Sequence, residues 1–170
     1  MALVAPFVAA IDERRPQIGG AQAIVLDLAR GLSARGHDVT LLAPRGSRVS
    51  GATLVDLGIE ADPAAALRTS TAVATPSQVA AFAAVGRWLE ANPFDVVHGH
   101  AFDAPAFARV RGPRIVHTLH LPPLDGATVA AVGGANGTLA TVSESCRAAW
   151  FAAGIRIPEL LPNGLDVTAV

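Results

Sequence analysis

The chain has no lysine, no tyrosine, one cysteine, one methionine and only 5% aromatic residues. Each shortage removes a class of explanation. A lone Cys146 cannot close an internal disulfide, so stability must come from packing, and a reducing, cytoplasmic setting is expected. The 13 basic residues are all arginine, scattered along the chain against 14 acidic ones. Without a basic face, no nucleic-acid partner is expected. No uninterrupted apolar run approaches the ~20 residues that a membrane-spanning helix needs, so no integral membrane segment is expected, and peripheral membrane association stays open. No basic-flanked leader with a small-residue cleavage site is read at the start.

What is present is apolar and small. Half of the 170 residues are hydrophobic, many of them alanine, and a chain of this length buries roughly 70% of its unfolded surface as one domain. The run Leu3 to Ile11 is nearly all apolar and reads as a strand buried on both faces, with Pro6 as an early end or a bulge. A polar loop leads to Gly19-Gly20, after which Ile24, Val25, Leu28 and Leu32 recur at helical spacing and Gly36 stops the helix. Asp38 to Ala43 is a second strand, and Thr53 to Leu57 a short third. Thr75-Pro76-Ser77-Gln78 has the signature of a helix start, with Thr75 as cap and Gln78 three residues on. That helix runs to about Asn92, with Val79, Phe82, Gly86 and Leu89 as its stripe. Strands follow at 95–98, 114–119, 138–142 and 157–161, with a short helix capped by Asp103 and another capped by Ser143 and ended by Gly154. Strand and helix alternate, so the fold class is α/β, a Rossmann-like open and mainly parallel sheet with helices on both faces.

Four of the five histidines close two apolar strands, Asp95-Val96-Val97-His98-Gly99-His100 and Arg114-Ile115-Val116-His117-Thr118-Leu119-His120. Ligands of open α/β sheets bind outside the carboxyl ends of the strands, so these residues mark a candidate cleft. His98 and His100, two apart on an extended segment, point the same way and could ligate zinc, yet a third ligand is placed only by Asp103 or Asp125. His37, before the second strand, reads as structural. Gly19-Gly20 between strand and helix could offer free backbone N–H groups to an anion such as a diphosphate, or could serve as a plain flexible turn. The segment 17–22 lacks the G-x-G-x-x-G fingerprint and the second strand ends without an acidic residue, which disfavours NAD; no P-loop motif occurs. Ser143-Glu144-Ser145 is no nucleophile elbow. Ser143 reads as a helix cap, and Glu144 could reach a hydroxylated ligand from that helix start. The charged run 12–15 reads as solvated, or as a lip of the cleft.

In order along the chain, Gly19-Gly20, Leu28 to Leu32 leading into Arg35 to Leu41, Asp95 to His100, His117 to His120, Thr141 to Ser145 and Leu161 to Val167 together resemble the amino-terminal domain of glycosyltransferase family 4, retaining enzymes of GT-B architecture. The resemblance implies an acceptor-side domain facing a second, nucleotide-sugar-binding domain across a cleft. It places the donor diphosphate near Gly19 and Gly20, and His120 as the catalytic residue bordering the sugar and the acceptor hydroxyl. His98 and His100 then shape the acceptor pocket, joined by Glu144. The implied substrates are a nucleotide sugar and an acceptor, with no metal or other cofactor expected.

Residues 1–170 are read as this single domain. The donor domain expected after about residue 164 is absent from the chain, so partnership with such a domain in cis or trans, inactivity alone and homodimerisation of the isolated domain are expected. The opening loop also departs from the family pattern, with Asp12-Glu13-Arg14-Arg15 in place of aromatic or proline-rich residues. The alternative is a non-catalytic sugar- or protein-binding module on the same scaffold.

Overall fold

A computed structural model describes residues 1–63, 74–112 and 114–164. Strand β1 (Ala2–Val4), helix α1 (Gly20–Ala34), β2 (Val39–Leu42), β3 (Ala52–Val55), α2 (Pro76–Ala91), β4 (Val97–Gly99), α3 (Ala104–Arg109), β5 (Ile115–Leu119), α4 (Gly126–Gly133), β6 (Thr138–Thr141), α5 (Glu144–Ala152) and β7 (Glu159–Leu160) follow one another. The seven strands form one sheet in the order β3-β2-β1-β4-β5-β6-β7, and every pairing is parallel. The strand order reverses at β1, between β2 and β4. Such a switch point opens a crevice at the carboxyl edge, because the chains leaving the neighbouring strands turn to opposite faces.

The alternation of side chains along each strand assigns the two faces. Leu3, Ala5, Val39 and Leu41 pack on Val25, Leu26 and Ala29 of α1. Ala2, Val4, Leu42, Val97 and Ile115 face the other way, onto Phe82, Val85 and Leu89 of α2, Ala106 of α3 and Val110 at its C-cap. Farther along that second face, Leu119 packs with Phe107, Val132 and Trp150 of α3, α4 and α5. Going left from β1 places the crossover helix on one side and going right places it on the other, as right-handed crossovers require.

Three expectations change. The first strand is shorter than its apolar run: β1 ends at Val4 before Pro6, and residues 5–11 stay buried as an irregular segment held by bonds such as Ile11 N–H to Ser47 Oγ, 3.0 Å. Helix α2 begins at Thr75 with both halves of the capping box formed, but its buried side is Ala81, Phe82, Val85, Gly86 and Leu89, while Val79 faces outward. Helix α4 was hidden by its glycines and small residues; Asp125 caps it, accepting from Thr128 N–H at 2.8 Å.

Candidate functional site

Strands β4 and β5 place Val97 opposite Ile115, His98 opposite Val116 and Gly99 opposite His117. His98, His100, Thr118 and His120 therefore share the face occupied by α1 farther left, and they cluster. The rings of His98 and His100 lie 4.0 Å apart. His98 Nε2 bonds to Thr118 Oγ1 at 2.7 Å, and His100 Nδ1 to His120 Nε2 at 3.0 Å. His100 is sealed in, with its Nε2 left unpartnered, whereas His120 is half-buried at the rim. Burial pushes all three below the usual imidazole range, His98 to about 4 with help from its histidine neighbours and His100 well below the ordinary value. The cluster is neutral at pH 7, since each added proton would be charged in a desolvated site beside other imidazoles.

His117 points to the opposite face. Its ring packs on Phe107 with centroids 5.1 Å apart, and burial lowers it to about 4. A Cβ on Gly99 would stand 2.8 Å from His117 Nδ1, so the glycine of the His-Gly-His segment makes room for that ring. His37 is exposed in the turn before β2.

Helix α1 starts without a side-chain cap at Gly19. Among the described residues the N–H groups of Gly20, Ala21 and Gln22 meet no acceptor, as expected for a helix start lacking a cap. Gln22 was missed in the sequence. It lies on the buried stripe of α1 with Val25, Leu26 and Ala29, and its Nε2 is an unpartnered donor. A Cβ at Gly19 would come within 2.4 Å of Gln22 Oε1, so a side chain there would push the end of Gln22 aside; Gly20 has open space around it. The signal was a lone polar residue one helical turn before Val25 and Leu26.

On the α2 side of the same edge lies a cavity of about 260 Å³, lined by Phe7, Phe82, Asp62, Ser77, Gln78 and Asp103 among others. Asp103 stands at the cap position of α3 but gives that helix no side-chain bond. Its carboxylate instead accepts from Gln78 Nε2 at 2.7 Å, and burial raises its pKa against that bond.

The structure does not bring Glu144 to the histidines. Glu144 is exposed, pairs with Arg147 at 2.6 Å and borders a separate hollow with Phe151, Arg156 and Pro158. The charged loop is tied down: Arg14 grips Asp12 through Nε at 2.9 Å and Nη2 at 2.8 Å, and Glu13 accepts from Ser50 N–H at 3.0 Å. Among the described residues no group of three His, Cys, Asp or Glu is disposed to hold a metal ion. Within the cluster, His98 Nε2 is bonded to Thr118, and His100 Nδ1 and His120 Nε2 to each other.

A family model described as Glycosyltransferase Family 4 matches residues 18–169. The phosphatidyl-myo-inositol mannosyltransferase of Mycobacterium leprae (strain TN) is 34% identical over 121 residues, covering 68% of this chain and 32% of that protein. The chain thus spans about a third of the length of the relative it matches.

Proposed function

The chain belongs to glycosyltransferase family 4, and on that premise we propose that it is the acceptor-side half of an enzyme that moves a sugar from a nucleotide-sugar donor to an acceptor hydroxyl with retention. The observation that carries the reading is the placement, at the same carboxyl edge of the sheet, of an uncapped 15-residue helix start and a half-buried His120 whose pKa burial lowers. A helix N-terminus favours an anion by ~0.3–1 kcal/mol, and more where water is excluded. The backbone N–H groups of Gly20, Ala21 and Gln22, with Gln22 Nε2 beside them, suit the departing diphosphate. Gly19 and Gly20 serve it by lacking side chains rather than by supplying any.

In this reading His120 hydrogen-bonds the transferring sugar and helps orient the acceptor hydroxyl. His98 and His100 form the wall behind it. The acceptor extends from His120 along the same edge toward the cavity holding Asp103, and Glu144, paired with Arg147 at a separate hollow, takes no part. Charge developing on the leaving group is stabilised by prearranged donors, the most effective use of fixed dipoles in a dry site. No metal is assigned a step.

The donor's nucleotide would sit on a second domain, and the carboxyl edge offers a surface for it: Ile18, Leu121, Leu124 and Leu161 are all exposed there. No helix among the described residues is long and apolar enough to cross a membrane.

The test is reconstitution. Joined to a donor-binding domain, in cis or in trans, the chain gives sugar transfer, and His120→Ala lowers the rate by about 10- to 100-fold, the loss of one strong hydrogen bond. Undiminished transfer by that variant removes His120 from the site. Saturable acceptor binding with no transfer upon adding the second domain favours a non-catalytic module.

A further inference from the structure

His100 is buried behind the half-buried His120 and has one bonded and one unbonded ring nitrogen. Both rings are neutral at pH 7, so the 3.0 Å contact between His100 Nδ1 and His120 Nε2 holds a single proton. There are two ways to place it. If His120 donates from Nε2–H, the proton of His100 must sit on its own Nε2, an N–H group buried with no acceptor. If His100 donates from Nδ1–H, its Nε2 is a bare lone pair, and the proton of His120 moves to Nδ1. Burying an orphaned donor is the rarer and costlier arrangement, while a buried acceptor short of one bond is better tolerated.

We propose that His100 is a positioning residue that fixes His120 as the Nδ1–H tautomer, so that His120 meets its ligand as a hydrogen-bond donor and not as a base. His120 Nδ1 has no partner among the described residues, and the residue is half-buried at the rim, which leaves that N–H free for a sugar hydroxyl or phosphate oxygen. Thr118 plays a parallel part for the neighbouring ring. Its hydroxyl occupies His98 Nε2, so His98 does not compete for the His100 nitrogen. The assignment rests on the role given to His120 above, but its direct test does not require transfer.

Long-range proton–nitrogen NMR of the 170-residue chain at pH 7.5 reads the tautomer directly. The expected result is at least about a tenfold excess of Nδ1–H over Nε2–H at His120. His100→Asn, whose amide can donate from nearly the same place, preserves that excess, and His100→Leu, which cannot donate, releases His120 toward a mixture. A wild-type His120 carrying its proton on Nε2 overturns the proposal, as does an unchanged tautomer in a folded His100→Leu protein. If His100→Leu does not fold, the wild-type and His100→Asn spectra decide. The Nδ1–H tautomer with full transfer by His120→Ala would retain this inference and overturn the catalytic reading instead.

Discussion

Two residues show how tightly the edge of the sheet is specified. Gly99→Ala would force a Cβ to 2.8 Å from His117 Nδ1, and both residues are buried. The expected loss is about 1–3 kcal/mol, read as a lower urea midpoint with an unchanged slope. A neutral outcome would mean that the ring can turn aside. The histidines also set a pH limit. His98 and His117 lie at about 4 in the folded chain against about 6.5 unfolded. The unfolded chain therefore takes up protons first as pH falls. This source of stability is complete above about pH 6.5 and is lost progressively toward pH 4, on the order of 2 kcal/mol for each histidine by pH 5. Denaturation midpoints at pH 7.5 and 5 measure it, and His117→Gln should shrink the difference by one histidine's share.

At the scale of elements, the starts of the helices do different work. Helices α2, α4 and α5 are closed by Thr75, Asp125 and Ser143, whose side chains accept from the third residue of each helix. Helix α1 alone among the long helices begins on a bare glycine. A helix that forgoes a capping side chain, at a cost of about a few tenths of a kcal/mol for glycine, has its first N–H groups free for something else. The cap on α2 is also tied to the cavity, since Gln78 both completes the capping box and donates to Asp103. Thr75→Ala should cost about 1 kcal/mol. Gln78→Ala should cost more, because it leaves the Asp103 carboxylate buried without its donor, and the double variant should lose less than the sum. Additive losses would show that the box and the Asp103 contact are independent.

The capping box of α2 was legible in sequence because it is local: every participant lies within four residues. So was α5, bounded by Ser143 and by Gly154 at φ 84°. Helix α4 was not legible, since Gly126-Ala-Thr-Val-Ala-Ala-Val-Gly133 lacks the contrast between apolar and polar positions on which periodicity depends. The true length of β1 was not legible either. Ala5 to Ile11 is as apolar as a strand, but beyond Ala5 its burial comes from packing on the helices, Phe7 against Phe82 of α2 and Ile11 in the cluster with Val25 of α1, rather than from a strand ladder.

For the whole molecule, the apolar side chains left at the carboxyl edge carry the consequence. Ile18 is 87% exposed and Leu121, Leu124 and Leu161 about 40%. If a second domain normally covers them, the isolated chain should self-associate at high concentration through this edge, and Leu121→Ser with Leu124→Ser should weaken the association. Monomeric light scattering throughout the accessible range would separate this edge from any interface.

The sequence alone determined the fold class, most of the alternation of strands and helices along the chain and the presence of four histidines at the ends of two apolar runs, because apolar runs, caps and turn residues are local signals repeated along the chain. Only the tertiary structure decided which histidines meet. Pairing β4 with β5 in one particular register puts His98, His100, Thr118 and His120 on one face and turns His117 to the other beside Gly99. It likewise put Gln78 against Asp103, 25 residues away, and left Glu144 with Arg147. Register and crossover are properties of the folded sheet, and a shift of one residue would exchange the two faces and dissolve the cluster.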